Sequence, residues 1–293
     1  MSASSPAWLA LSNRYLIEGE LIAEGSLHVG SGFTGEVEGA DTDSALLRDH
    51  RGLLIPGSSL RGAMRSMAER ILQTLDRRGC VLFVKGSHKT CLSAKEDEEQ
   101  REKEALPEEE LVHYLLGKQN GLCDICKLFG SPWLASKLRV SDCRPLGDTH
   151  TRIRHGVGID RDTRTARDQI KYDFEVLEPG PPDGEDALRL SFAIEVHNAN
   201  EQDLAILGIL LKQMQKQGIV AGGKRSRGLG LMKLKLGKVV RYFDEAPESP
   251  YKLKDFLLEG NLGELPAGQF GAMLDTAILN YLSEVESAAA SAE

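Results

Sequence analysis

A segment at residues 222–230 combines four glycines with three cations and reads Gly-Gly-Lys-Arg-Ser-Arg-Gly-Leu-Gly. Glycine lets the backbone approach a ligand and adopt positive φ, and successive exposed N–H groups can then bind an anion. The cations can neutralise phosphate groups. We predict that this glycine-basic loop binds phosphate, and a flexible basic turn between a helix and a strand is the alternative. The candidate residues are Gly222, Gly223, Lys224, Arg225, Ser226 and Arg227.

A second phosphate-binding candidate is the start of a predicted helix. Pro-Gly-Ser-Ser at residues 56–59 precedes apolar residues at helical spacing, so we predict that a serine caps a helix running to about Arg78. The unpaired N–H groups of a helix N-terminus favour phosphate. An ordinary capped helix with a solvated basic face is the alternative. The candidate residues are Ser58, Ser59, Arg61 and Arg65.

Two short-spaced residue pairs could bind one metal ion. Cys123 and Cys126 have the spacing of a thiolate pair, and a histidine–cysteine pair lies upstream of them. Structural zinc takes four Cys or His ligands. The predicted zinc ligands are His88, Cys91, Cys123 and Cys126. Cys80 and His113 are rival fourth ligands, burial of the Cys-x-x-Cys pair as small apolar side chains is the alternative, and a redox role is disfavoured.

An acidic segment, Asp41-Thr42-Asp43, lies on a predicted loop between residues 27–32 and the helix start at residues 55–65. Carboxylates beside a phosphate-binding surface are electrostatically unfavourable unless they bind a cation or take part in chemistry. Asp41 and Asp43 are therefore the catalytic candidates, and a solvated loop with no catalytic role is the alternative.

The formal net charge of −8 is unevenly distributed. Residues 96–110 carry a net charge of −7, and the chain from Asp244 onward carries −8. The remaining residues therefore carry about +7, which permits a nucleic-acid partner.

The composition is that of a globular protein, with 41% hydrophobic and 27% charged residues. No apolar run reaches the roughly 18 residues that cross a bilayer, and the first residues do not have the pattern of a secretory signal. We expect a cytoplasmic protein with no membrane partner and no disulfides among its five cysteines.

Hydrophobic periodicity predicts an α+β fold. The core elements follow the order strand, helix, strands, strand, helix, strand, which is the split βαβ or ferredoxin-like arrangement. We predict a hairpin over residues 46–55, a strand over 138–143, an extended arm over 151–179, a strand over 187–197, a helix over 202–217, a strand over 231–240, and a helix over 273–285 followed by a disordered tail. Residues 79–124 are predicted as a loop region with one exposed helix.

Four segments occur in one order: Leu-His-Val-Gly-Ser-Gly (27–32), the helix start (55–65), Cys-Lys-Leu-Phe-Gly-Ser (126–131) and the glycine-basic loop. Together they resemble the RAMP superfamily of CRISPR systems, and most of all the backbone subunit that polymerises along guide RNA in type III complexes. Residues 154–163 and 172–175 further resemble that family's thumb hairpin.

The resemblance implies a ferredoxin-like RAMP domain over residues 13–243, with an insertion at 79–136 carrying a zinc knuckle and a thumb at 151–179. Residues 244–293 would form a helical extension and tail. Arg154 and His155 would contact RNA from the thumb. The implied partners are guide RNA (crRNA), complementary target RNA and other subunits, including copies of this chain.

The resemblance also implies cleavage of guide-paired RNA, with one aspartate and a divalent cation such as Mg²⁺. The register places this aspartate at Asp43 or Asp41, and the proline that commonly follows is lacking. A non-cleaving architectural subunit, a guide-processing endonuclease that uses His28, and an RNA-binding protein unrelated to CRISPR are the alternatives.

Overall fold

The computed structural model describes residues 11–31, 42–75, 122–131, 134–180, 184, 187–246, 252–259 and 263–290, without the side chains of residues 167–170 and 285–290. Several predicted features lie outside these ranges. They are Asp41, His88, Cys91, the rival ligands Cys80 and His113, and the acidic stretch 96–110.

The described chain contains ten strands and five α-helices. The strands are β1 (Asn13–Ala23), β2 (Arg48–Asp49), β3 (Gly52–Leu53), β4 (Leu138–Val140), β5 (His150–Ile159), β6 (Ala166–Glu178), β7 (Arg189–His197), β8 (Ile219–Val220), β9 (Leu231–Asp244) and β10 (Gly263–Leu265). The helices are α1 (Gly57–Thr74), α2 (Asp124–Phe129), α3 (Glu201–Lys216), α4 (Leu253–Glu259) and α5 (Ala267–Ala290).

The main sheet is antiparallel, with strand order β10-β9-β1-β7-β4 and with β8 paired to β9. Helix α1 connects β1 to β4, and helix α3 connects β7 to β9. The predicted α+β class is therefore confirmed, and the element order and strand pairing are compatible with the predicted ferredoxin-like arrangement.

Alternation along the strands places one face of the sheet in the core. Leu190, Phe192, Ile194 and Val196 of β7 are all buried, and the residues between them are partly exposed. Each such side chain contributes about 1.5–3 kcal/mol relative to an exposed position. The period-2 pattern therefore predicts both the strand and its buried face.

Helix α3 begins with a capping box. The Asn200 side chain accepts a hydrogen bond from the Asp203 N–H group, and the Asp203 carboxylate accepts one from the Asn200 N–H group. The Asp203 carboxylate also pairs with Lys137 at 2.5 Å, with both side chains buried. This pair connects the start of α3 to the residue that precedes β4.

Helix α1 differs from the prediction at its N-terminus. Pro56 is the N-cap residue, and neither it nor a serine caps the helix with a side chain, so the predicted serine cap is wrong. The Gly57 N–H group instead donates to Asp142 Oδ1 at 2.8 Å, and a Cβ at Gly57 would lie 2.1 Å from the Val140 carbonyl oxygen. This close approach to the end of β4 requires glycine at the first helical position.

Residues 150–178 form a long antiparallel hairpin of β5 and β6. Its far end is exposed, including Ile159. Its base contributes Val176 and Leu177 to buried clusters, and Leu27 pairs with Leu177. The arm predicted over residues 151–179 is therefore a regular hairpin that is anchored at its base.

The C-terminal region is more ordered than predicted. Helix α5 runs from Ala267 to Ala290, so the prediction of a disordered Ser/Ala tail after residue 285 is wrong for these residues. Phe270, Leu274 and Tyr281 are buried in the main core. Strand β10, which periodicity did not predict, adds an edge to the sheet beside β9.

Candidate nucleic-acid interface

The glycine-basic loop connects β8 to β9, and several of its residues have positive φ, the left-handed backbone conformation. A Cβ at Gly222 (φ 96°) would lie 2.5 Å from the His28 carbonyl oxygen, and one at Gly230 (φ 94°) would lie 2.2 Å from that of Ala221. The Gly223 N–H group donates to the same His28 oxygen at 2.7 Å. Glycine at 222 and 230 is therefore required by both φ and space.

The tip of this loop carries its charge outward. Lys224 is left-handed (φ 55°) and starts a single 3-10 turn over Arg225–Arg227, whose three residues are exposed. The Lys224 Nζ lies 4.5 Å from the ring centroid of Phe174, and the Arg227 guanidinium carbon lies 4.8 Å from that of Tyr172. Burial, and then the charge of Arg227, lowers the pKa of Lys224. The loop therefore exposes Arg225, Ser226 and Arg227 to solvent, and Lys224 and Arg227 rest on an aromatic base.

That aromatic base belongs to the hairpin. The Tyr172 and Phe174 rings of β6 stack with a centroid distance of 6.1 Å, and the Tyr172 ring occupies the space where a side chain at Gly156 would lie. Cations over aromatic faces contribute about 0.5–2 kcal/mol each. The hairpin base therefore supports the glycine-basic loop, which the sequence analysis did not foresee. Alternating Tyr172, Phe174 and Val176 was the signal that could have indicated a buried strand face.

The acidic segment is also held by the hairpin. Asp43 is exposed, and its Oδ2 accepts a hydrogen bond from the Asp173 N–H group at 2.8 Å. Two residues further along β6, the Glu175 N–H group donates to the Ser44 carbonyl oxygen at 3.0 Å. The structure therefore places one of the two predicted catalytic aspartates at the hairpin base, and Asp41 lies outside the described residues.

Glu175 fixes the chain that follows the acidic segment. Its buried carboxylate accepts a hydrogen bond from the Leu46 N–H group at 3.1 Å and forms a two-pronged ion pair with Arg48. The hydrogen bonds from Arg48 are the main cause that lowers the pKa of Glu175. This pair joins β6 to β2.

The two predicted thumb residues have partners within the hairpin. Arg154 Nη2 donates to Ser26 Oγ at 2.6 Å and to Glu178 Oε1 at 3.1 Å, and the side chain remains 41% exposed. His155 Nδ1 lies 2.7 Å from Asp173 Oδ1 across the hairpin, and its side chain is 77% exposed. His155 is therefore accessible to a ligand beside the residue that contacts Asp43.

The α1 candidates divide into two groups. Ser58 and Ser59 are exposed on the first turn. Arg61 donates to the Phe129 carbonyl oxygen, and Arg65 donates to that of Gly130 at 2.8 Å. The arginines therefore pack α1 onto the end of α2, and Arg65 has only 12% of its side chain exposed.

Cys123 and Cys126 lie at the start of α2 and are buried. The Cys126 N–H group donates to Cys123 Sγ at 3.5 Å, and Arg65 Nη2 donates to Cys126 Sγ at 3.1 Å. Cys123 and Cys126 are the two predicted zinc ligands that lie within the described residues. No cluster of three metal ligands occurs among the described residues, which exclude His88 and Cys91.

A family model for the RAMP superfamily matches residues 20–233, which is more than half of the chain. The chain belongs to the RAMP superfamily. The match covers the four ordered segments and the hairpin described above. A search of curated proteins finds no match to this RAMP chain. Among its described helices, none is both long and apolar enough to span a membrane.

Membership in the superfamily gives the functional class. RAMP proteins are CRISPR-associated, generally bind RNA and act in multisubunit complexes. In this RAMP chain the glycine-basic loop, the hairpin base and the acidic segment converge through direct contacts. Within the described residues, this surface brings together exposed cations, glycine backbone and a carboxylate.

Proposed function

We propose that this chain is a guide-RNA-binding backbone subunit of a type III CRISPR effector complex. The observation that carries the proposal is the glycine-basic loop, which exposes Arg225, Ser226 and Arg227 while Lys224 and Arg227 lie over the aromatic base of the hairpin. Phosphate contacts by loop cations bind RNA without regard to sequence, which suits a subunit that must accept any guide. Further RNA contacts are proposed for Ser58 and Ser59 at the start of α1 and for Arg154 and His155 on the hairpin. Arg61 and Arg65 are also proposed to contact RNA, although their side chains are less exposed.

The proposal extends to cleavage of target RNA paired to the guide. The target 2′-hydroxyl would attack the adjacent phosphorus and form the 2′-oxygen–phosphorus bond while the bond to the 5′-oxygen breaks. The 2′-hydroxyl proton is released and the leaving 5′-oxygen gains one, so the products are a cyclic phosphate and a 5′-hydroxyl. Asp43 would orient the attacking hydroxyl, and its exposed carboxylate would hold a divalent cation such as Mg²⁺. Bound Mg²⁺ would stabilise charge on the phosphate oxygens.

A non-cleaving architectural subunit is the second candidate, and one observation favours it. The Asp43 carboxylate already accepts a hydrogen bond from the hairpin backbone, which is a sufficient structural reason for an acid at this position. Guide processing by His28 is disfavoured, because His28 is 4% exposed and both ring nitrogens have protein partners.

A structural zinc ion held by His88, Cys91, Cys123 and Cys126 is part of the proposal. It would crosslink two parts of the insertion, the segment that contains His88 and Cys91 and the start of α2. Helix α2 is in turn bonded to the C-terminal helix, because Tyr281 Oη donates to Asp124 Oδ2 at 2.9 Å. The zinc would therefore act on the stability of the fold and not on the chemistry.

The proposal is tested by purifying the chain together with the products of its neighbouring genes and sequencing the bound RNA. We expect short RNAs that share a common 5′ tag, and we expect less RNA with a Lys224→Ala, Arg225→Ala, Arg227→Ala variant. A matched control replaces three exposed cations elsewhere, Arg139, Lys235 and Lys254. A complex without RNA, or RNA without a shared tag, would contradict the proposal.

A further inference from the structure

The segment that leaves β1 passes beneath the proposed RNA-binding surface, and His28 lies at its centre. The His28 side chain is buried, and the ring and the backbone of this residue together contact three separate parts of the chain. Nδ1 lies 2.6 Å from the Glu175 carbonyl oxygen in β6, and Nε2 lies 3.3 Å from Ser44 Oγ beside the acidic segment. The His28 carbonyl oxygen accepts the Gly223 N–H group of the glycine-basic loop.

The ring is also enclosed by packing. The Phe174 ring meets it edge to face, with centroids 5.6 Å apart. A Cβ at Gly223 would lie 3.2 Å from His28 Cδ2, and one at Gly30 would lie 3.4 Å from Nε2. The ring therefore fills the space between the loop, the hairpin base and the acidic segment.

The partners determine where the ring proton lies. A carbonyl oxygen only accepts hydrogen bonds, so Nδ1 must carry the proton. In the neutral ring Nε2 is then an acceptor, and the Ser44 hydroxyl donates to it. Burial lowers the pKa of His28, the Glu175 carbonyl opposes this, and the Lys224 charge adds to it. The neutral His28 ring is therefore favoured, because a positive charge on it would be buried and would lie close to the Lys224 charge.

We infer that His28 is a positioning residue which, as the neutral Nδ1–H tautomer, couples the glycine-basic loop to the acidic segment through Ser44. The inference rests on the proposed function, because it assigns a consequence to RNA bound at the loop. RNA that restricts the motion of Gly223 also restricts the motion of the His28 backbone and ring. The hydrogen bond between the ring and Ser44 then holds Ser44 in one position. Asp43 is the neighbour of Ser44, so the acid is placed when RNA is bound.

The test is residue-resolved amide hydrogen exchange on the full chain, with and without single-stranded RNA. Two amides report on the acidic side, namely Leu46, which donates to Glu175, and Glu175, which donates to Ser44. Gly223 reports on the loop. In the wild type we expect RNA to increase protection at all three amides.

Ser44→Ala removes the hydroxyl and keeps the ring, and Ser44→Thr keeps the hydroxyl. We expect Ser44→Ala to bind RNA within about twofold of wild type while the RNA-induced protection of Leu46 and Glu175 falls about tenfold, since one lost hydrogen bond is worth about 1 kcal/mol or more where it leaves a buried acceptor. Ser44→Thr should restore the transmission. Equal RNA-induced protection in wild type and Ser44→Ala would overturn the inference.

The tautomer is measured separately, by long-range proton–nitrogen spectra of the histidine rings. His28→Asn assigns the signals and is expected to lower protection at Gly223 and Leu46 together even without RNA. A ring protonated at Nε2 instead of Nδ1, or a His28→Asn variant that changes Leu46 alone, would overturn the inference. A wild-type chain that binds no RNA would refute the proposed function, whereas a joint response of the two segments to His28→Asn would still support the coupling.

Discussion

The Asp43 carboxylate lies where the acidic segment meets the hairpin, and it accepts a hydrogen bond from the Asp173 N–H group. A structural role and a catalytic role therefore coincide in one side chain. Asparagine keeps an oxygen that can accept this bond and removes the charge, whereas alanine removes both. The choice of substitution thus separates the two roles.

We expect Asp43→Asn to abolish metal-dependent cleavage of guide-paired RNA in the assembled complex. RNA binding should be unchanged or slightly tighter, because a carboxylate near phosphates repels them. Asp43→Ala should in addition loosen the hairpin base, and Asp41→Asn should leave cleavage largely intact. The measurement is the rate of target cleavage and the affinity for the guide.

The opposite pattern, in which Asp41→Asn stops cleavage and Asp43→Asn does not, would move the catalytic role by two residues. Normal cleavage in both variants would exclude both aspartates. A wild-type complex that never cleaves would leave the architectural candidate as the correct one.

His28 gives a pH prediction for the free chain. Burial lowers its pKa below the ordinary value of 6.5, so the unfolded chain binds this proton more readily. Its contribution to stability is complete above pH 6.5 and is lost as the pH falls toward the folded-state pKa. Between about pH 7 and about pH 5, wild type should lose more free energy of unfolding than His28→Asn. Chemical denaturation at several pH values measures the free energy of unfolding. His50→Asn is the control, because His50 is exposed. Parallel curves for wild type and His28→Asn would contradict it.

At the scale of elements, α2 is a part of the insertion that packs into the core. Its buried residues include Ile125, Leu128 and Phe129, and the carbonyl oxygens at its end accept hydrogen bonds from Arg61 and Arg65. The sequence analysis expected an exposed helix in the insertion and did not foresee this buried one. Six residues are too few for hydrophobic periodicity to indicate a helix.

The zinc content of the purified chain tests whether the start of α2 holds part of a zinc site. We expect one zinc ion per chain after washing with chelator, and loss of zinc in Cys123→Ser and Cys126→Ser. Cys143→Ser is the matched control, because burial raises the pKa of Cys143 to about 12 and keeps it a thiol. Elemental analysis is the measurement. Wild type without zinc would end the claim, and a Cys91→Ala variant that retains zinc would implicate Cys80.

The Lys137–Asp203 pair joins two elements inside the core. Lys137→Met leaves a carboxylate that is 3% exposed without its cation, and removing one partner of a buried pair costs about 3–5 kcal/mol. Burial raises the pKa of Asp203, so the loss should be smaller in acid, where the carboxyl is protonated. Chemical denaturation measures the free energy of unfolding. Adding Asp203→Asn to Lys137→Met should recover part of it, and an unchanged free energy in Lys137→Met would contradict the prediction.

At the scale of the whole molecule, elements with regular periodicity were predictable and contacts between distant segments were not. The alternation of β7 and the spacing of α3 each indicate their element and its buried side. Strand β10 has three residues and exists because β9 offers an edge, which no local pattern reveals. The end of α5 was missed because serines and alanines also occur in disordered tails.

The candidate site divides in the same way. The position of the glycine-basic loop could be predicted from composition, because its glycines and cations are close together in the sequence. The roles of Tyr172, Phe174 and Glu175 depend on the base of the hairpin meeting residues more than 40 positions away, such as Arg48 and Lys224. The same applies to Arg65, whose partners on α2 make it a packing residue as well as a cation.

The central claim, that the glycine-basic loop binds RNA phosphates, is tested most directly by the salt dependence of single-stranded RNA binding. Each phosphate contact contributes a slope of roughly 0.7 in log affinity against log salt. Replacing Lys224, Arg225 and Arg227 with alanine should weaken binding and reduce the slope by up to about 2, while the Arg139, Lys235 and Lys254 control keeps the wild-type slope. A triple loop variant with the wild-type affinity and slope would contradict the account and leave the loop as a turn.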